Sequence, residues 1–179
     1  MNDQERIDAA IQEGFFAAAI LATEEIPFEP SFRQFCEENL CGKYGANYAC
    51  PPSCGTPEEM RARVQAMPRA MVLQTMWPLD ELHDAVGVRH AKGAHNAASV
   101  RLRKRLQEAG VDGFLVGASN CTLCDPCAIT EGKPCLHEEM RFSCMSAYCI
   151  YVRKLAERCG LAYDAQDGKV PLFGMYVYR

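Results

Sequence analysis

Cys121, Cys124 and Cys127 recur at every third position, and Cys135 follows after a seven-residue gap, all within residues 120–135 (NCTLCDPCAITEGKPC). Thiolates at that spacing come from one tight loop and can reach three iron corners of a cubane, while the fourth corner takes a ligand from further along, as in ferredoxin-type runs. The run points to a [4Fe-4S] cluster. Structural zinc more often takes two separated Cys-x2-Cys pairs, which leaves zinc as the alternative.

A second constellation lies upstream in FCEENLCGKYGANYACPPSCG, with Cys36, Cys41, Cys50 and Cys54. Gly42, Gly45, Pro51, Pro52 and Gly55 make this stretch a loop, and such loops bring backbone amides close to sulfur. The expectation is a second metal centre, so one or two clusters in all. The ordinary reading is that some of these thiols are simply buried, since free cysteine is among the most buried residue types. Cys144 and Cys149, just past the later loop, are candidate extra ligands or redox thiols.

The rest of the composition sets the surroundings. The chain has 179 residues, 49% of them hydrophobic, enough for one domain that buries about 70% of the surface its unfolded form exposes. Such a core needs no disulfides, so 11 cysteines call for a chemical explanation. Residues 1–10 (MNDQERIDAA) contain no basic region leading into an apolar run, and no stretch approaches transmembrane length. The expectation is a reduced, cytoplasmic protein with no membrane segment. A net charge of -4 argues against general nucleic-acid binding. With no P-loop, G-x-G-x-x-G or G-x-S-x-G, nucleotide binding and serine hydrolysis have no support.

The elements that must position the cysteines are readable in outline. Ile7, Ala10 and Ile11 give a short helix that Gly14 stops, and residues 15–22 (FFAAAILA) read as a buried strand or helix segment. Ser31 is placed to cap a helix containing Phe32, Phe35 and Cys36. Thr56, followed by Pro57, Glu58 and Glu59, starts a helix that Pro68 ends. Residues 70–77 read as a buried strand closed by Pro78. A helix through Leu82, Val86 and Val88 is interrupted by Gly87 and Gly93, and residues 96–109 form a separate helix that Gly110 stops. Residues 114–117 (FLVG) are a short strand running into the cysteine loop, a sensible placement because ligands of open α/β sheets sit beyond the carboxyl ends of strands. Met145, Tyr148, Cys149, Val152, Leu155, Ala156 and Cys159 share one helix face, and residues 170–178 form a final strand.

Two stretches carry a family resemblance. Cys41-Gly-Lys-Tyr-Gly-Ala-Asn-Tyr-Ala-Cys50-Pro-Pro, followed by Cys121-x2-Cys124-x2-Cys127-x7-Cys135 and a segment containing Met145, resembles the predicted metal-binding proteins grouped as domain of unknown function 2284. The likeness spans most of the chain. It implies metal binding in an anaerobic bacterium or archaeon, with Cys36, Cys41 and Cys50 matching the first motif and the four later cysteines the second.

Other groups carry less. His83, His90 and His95 are not spaced to share one helix face, so surface or capping roles are expected. His137 and Arg141 could donate to cluster sulfurs or to an anionic ligand, or lie at an exposed helix end. Arg101, Arg103, Lys104 and Arg105 read either as a docking face for an acidic redox partner or anionic substrate, or as a solvated helix face. The expected architecture is one α/β domain with a mixed sheet of about four strands flanked by helices and cysteine-ligated clusters on loops at the sheet's edge. The expected role is electron transfer or cluster-based redox chemistry with a partner protein or small-molecule substrate. Two other roles are a zinc-bearing structural or interaction module and an enzyme whose open cluster iron acts as a Lewis acid.

Overall fold

Residues 69–78 and 169–178 alternate between two apolar faces, and this period of two puts them at the middle of a sheet covered on both sides. The computed structural model describes residues 1–179. Its elements are α1 (Asp3–Gln12), β1 (Ala17–Ala22), α2 (Arg33–Glu37), α3 (Pro57–Gln65), β2 (Arg69–Pro78), α4 (Ala85–Glu108), β3 (Gly113–Gly117), β4 (Ser143–Cys144), α5 (Val152–Arg158) and β5 (Lys169–Tyr178). The sheet has five strands in the order β1-β2-β5-β3-β4. Every pairing is antiparallel except β3 with β4, which is parallel. The fold is therefore the expected mixed α/β domain, and the fifth strand is the two-residue β4.

Alternation assigns each strand residue to a layer. Met71 and Leu73 of β2, Leu115 of β3, and Tyr176 and Tyr178 of β5 pack with Ala9, Ala10, Leu102 and Leu106 of α1 and α4. Their neighbours Ala70, Val72, Val116, Met175 and Val177 pack on the opposite side with Met60, Val64, Leu155 and Ala156 of α3 and α5. Each fully buried Leu, Val or Met stabilises this sandwich by about 1.5–3 kcal/mol relative to exposure. Reciprocal caps start two of the helices. Asn2 and Glu5 close α1, while Thr56 and Glu59 close α3 with Pro57 at its first turn.

Four local expectations need correction. The two helices expected between residues 82 and 109 are the single α4. Gly87 does not break it, because a Cβ there would lie 1.7 Å from the Glu81 carbonyl, so the glycine admits the preceding turn. The helix expected from residue 145 onward begins only at Val152. Cys149 takes a left-handed backbone with φ of 55°, and Ile150 bridges to Phe28, so residues 145–151 turn away from helix. Glu29, rather than Ser31, supplies the side-chain cap ahead of α2, accepting from the Ser31 amide. Finally, His95 is a core residue and not a surface one.

His95 lies wholly buried on α4, with Nδ1 2.8 Å from the Thr75 hydroxyl, which also accepts from Trp77 Nε1 at 2.9 Å. A Cβ at position 174 would meet His95 Nε2 at 2.7 Å, so Gly174 of β5 makes room for the ring. Burial pushes the imidazole pKa down to about 4. The unfolded chain, with an ordinary histidine near 6.5, binds that proton more readily, so this contribution is intact above pH 6.5 and lost as pH falls toward 4. The expected cost between pH 7 and pH 4.5 is about 2–3 kcal/mol. Urea unfolding at the two pH values measures it, and His95→Gln should flatten the difference. Parallel pH profiles for the two proteins would show that His95 does not carry it.

Candidate metal centre

The later cysteine loop is launched by a buried amide. Asn96, midway along α4, accepts the Ala118 amide at 3.0 Å and donates to Ser119 Oγ at 2.9 Å and to the Asn120 carbonyl at 3.4 Å. Its approach requires Gly117 at the end of β3, where a Cβ would lie 2.9 Å from Asn96 Oδ1 and 2.8 Å from the Phe142 ring. The chain then makes a long excursion, 118–142, before returning as β4 beside β3. A parallel pair needs a connection of a dozen or more residues. This one contains only the short 3-10 turn Ala128–Glu131 and carries four cysteines. The peptide bonds Pro51–Pro52 and Asp125–Pro126 are cis.

Cys121 is buried, while Cys124, Cys127 and Cys135 are partly exposed. Burial raises the Cys121 thiol pKa, opposed by hydrogen bonds from the Leu123 and Phe142 amides to its sulfur, with repulsion from Cys124 and Cys135 adding to the rise. Amides directed at a sulfur are what a metal-bound thiolate uses as its outer shell.

The earlier loop forms a second nest, and β4 adds a member to it. Burial raises Cys36 to about 11, with further repulsion from Cys144, Cys149 and Cys41 against the pull of Arg33. Cys50 is raised by burial and then by Cys144, Cys41, Cys54 and Cys36. Cys54 is raised by burial, with Cys144 among its repelling neighbours. Cys144 thus stands within electrostatic reach of Cys36, Cys41, Cys50 and Cys54 together. Its sulfur accepts the Ala147 amide at 3.4 Å. Arg33 of α2 ties the nest shut, donating to the Gly55 carbonyl at 2.8 Å and the Ala147 carbonyl at 2.9 Å.

The two nests touch. Asn47, buried in the earlier loop, donates to the Cys121 carbonyl at 3.1 Å and accepts the Ala49 amide at 2.9 Å. Tyr48 donates to the Lys133 carbonyl at 2.8 Å, and the Arg141 guanidinium stands 5.9 Å over the Tyr48 ring. A cavity of about 650 Å³ opens between the loops, with Cys41, Cys121, Cys124 and Cys127 in its wall. All eleven cysteines are free thiols, and no three Cys, His, Asp or Glu side chains converge closely enough to hold one ion. The donor chemistry nevertheless fits a soft metal, because each nest offers several thiols and at least one sulfur already facing amides. Binding an ion at either place requires rotation of thiols toward it.

The remaining sequence candidates separate from these nests. Cys149 is buried near Cys36 and Arg33, its pKa raised by burial. Cys159 packs against the α3–α5 side of the core and is raised to about 11 by burial. His83 is exposed beside the Asp80 carbonyl, and His90 meets Trp77 edge-on at 6.0 Å, so the three histidines do not form a set. His137 is exposed. The basic run on α4 is largely committed inside the chain. Arg101 and Arg105 pair with Glu13, buried Arg103 donates to the Glu139 and Met140 carbonyls, and Lys104 lies 4.0 Å from Glu108. No helix is long and apolar enough to cross a membrane.

Fold and nests together define a cysteine-rich α/β protein whose donor set suits a soft metal. Residues 19–177 match the family model described as predicted metal-binding protein (DUF2284), and the chain belongs to that family. No curated protein and no solved structure matches it.

Asn47→Ala removes the buried one of the two bridges between the loops, leaving Tyr48 to Lys133, without removing a thiol. It should lower stability by about 1–3 kcal/mol, the cost of leaving a buried polar group without its partner, and speed amide exchange in residues 40–50 and 119–127 together. Faster exchange in only one of the two loops would show that they are held independently.

Proposed function

We propose that the chain is an iron-sulfur protein acting in electron transfer or cluster-based redox chemistry in the cytoplasm. One [4Fe-4S] cluster is assigned to Cys121, Cys124, Cys127 and Cys135, and a second centre to the nest of Cys36, Cys41, Cys50 and Cys54, with Cys144 as a further ligand candidate. The observation that carries the reading is the run of three cysteines at Cys-x2-Cys-x2-Cys spacing on one loop beyond the carboxyl end of β3, with Cys135 near enough to repel the Cys121 thiolate. That is the ligand order of ferredoxin-type clusters.

An iron-sulfur cluster, when bound, supplies one-electron redox chemistry whose potential depends on cluster charge, hydrogen bonds to sulfur and exposure. The chain's own residues set those last two quantities. Amides of Leu123 and Phe142 face Cys121, while Ala147 faces Cys144. Arg33 places a fixed positive charge beside the earlier nest. Half-exposed Cys124 and Cys127 lie at the cavity wall, where a partner or small molecule has access.

The test is iron and acid-labile sulfide analysis after anaerobic purification, with EPR before and after dithionite. Cys124→Ser should remove about four irons per chain, the content of one such cluster. Cys144→Ser should lower the remaining iron while leaving the later-loop cluster's EPR signal in place. Unchanged iron in the Cys124 variant, or zinc as the native metal, would defeat the assignment and leave a redox-silent module.

A further inference from the structure

The cavity between the two loops has an electrostatic character that the cysteines do not explain. Its α4 wall is formed by Ala85, Val88, Arg89, Lys92 and Gly93, which fall on one helix face by their spacing. Lys43 enters from the earlier loop, and Asp125 is the one carboxylate in the wall. None of the three cations forms an ion pair or a side-chain hydrogen bond in the fold. Lys43 and Lys92 are partly buried and Arg89 is exposed, and no carboxylate lies within ion-pair distance of any of them. In a chain of net charge -4, three cations against one carboxylate around a single cavity mark a local reversal of sign.

We propose that this cavity binds a small organic anion, a carboxylate or a phosphate ester, whose charged group is held by Arg89, Lys92 and Lys43. Arginine offers a planar fork matched to either oxyanion, and the lysines add mobile point charges. The volume of about 650 Å³ falls in the range of small-ligand sites and far exceeds the need of one inorganic ion. Half-buried Val88, with exposed Leu40 and Ala85 at the cavity mouth, supplies apolar surface for an organic body. Gly93 leaves the helix bare at this face, since a Cβ there would meet nothing within 4 Å. The ligand so placed lies against Cys41, Cys121, Cys124 and Cys127, between the two nests. A centre on Cys121, Cys124 and Cys127 would take up the cysteine side of this cavity, so the anion's place is toward Arg89, Lys92 and Gly93 on α4, and to that extent the proposal rests on the metal reading.

The competing role for these cations is to neutralise metal-bound thiolates, and the experiment separates the two. Succinate and phenyl phosphate serve as probes of the two oxyanion classes, with neutral succinamide and phenol as controls. Each is titrated calorimetrically into the anaerobically purified full chain at low ionic strength. The expected result is binding of at least one anionic probe at one per chain, with neither control binding. Which probe binds more tightly identifies the oxyanion class. Arg89→Gln with Lys92→Gln should weaken that binding at least tenfold, with metal content per chain unchanged. Gly93→Leu leaves every charge in place but projects a side chain into the cavity beside Arg89 and Lys92, and should weaken binding at least tenfold while circular dichroism and metal content stay those of the parent. No binding of either anion at millimolar concentration, equal binding of the neutral controls, or undiminished binding in both variants would overturn the proposal. So would a loss of metal in the charge variant with no change in probe affinity, which would assign the cations to the thiolates. Failure of the iron-sulfur reading shows instead in the metal analysis and leaves these titrations interpretable.

Discussion

Two buried asparagines hold the cysteine loops to the scaffold. A loop of some twenty residues rich in glycine, proline and polar side chains buries too little apolar surface to fix its own shape, and must borrow order from its neighbours. Asn96 supplies it for the later loop by taking the Ala118 amide and giving to Ser119 and Asn120. Asn47 extends the same order to the earlier loop through the Cys121 carbonyl. Both amides are buried, where an unmade hydrogen bond costs more than a made one contributes. The relative placement of the nests follows from satisfying these two side chains.

Within that frame, the sheet's one parallel pairing has a consequence beyond shape. Because β4 returns beside β3, Cys144 comes next to thiols contributed from before α3, and the earlier nest is assembled from both halves of the chain. Burial makes the thiolate form costly in both nests, and mutual repulsion makes it costlier. A bound metal reverses that balance, since a coordinating thiol is deprotonated by the ion's own charge. Arg33 and the amides facing Cys121 and Cys144 already favour the charged form. The cations of Lys43, Arg89 and Lys92 line the cavity into which thiols of both nests also open.

Much of this was legible in the residue order, and the losses have physical causes. The apolar run at 70–77 and the loose alternation of 170–178 announce strands because a strand's character is decided by its immediate neighbours. The Thr56-Pro57-Glu58-Glu59 start is local for the same reason, and so is the cysteine run at 121–135. What was hidden depends on tertiary approach. Gly87 and Gly93 resemble helix breaks until the structure shows one packed against the Glu81 carbonyl and the other facing open cavity. The left-handed Cys149 interrupts a run of perfect helical spacing because its neighbour Ile150 is bridged to Phe28. The sequence marks Cys144 only as a possible extra ligand, since a two-residue strand leaves no periodicity to read. Asn47 and Asn96 gave no signal at all, because an amide's importance lies in what it meets. The basic residues of α4 are dense at 101–105, where they are mostly paired, while Arg89 and Lys92 are isolated in sequence and unpaired in the fold.

On the proposed iron-sulfur assignment, the two nests hold separate inorganic cores on one folded chain. Native mass spectrometry of the anaerobically purified protein tests it most directly, because it weighs the folded chain together with whatever it retains. The account predicts a species heavier than the apo chain by two iron-sulfide cores. It also predicts an intermediate one core heavier as partial chelation empties one nest before the other. A chain carrying only zinc, or no retained metal, would contradict it, as would a single core lost in one step.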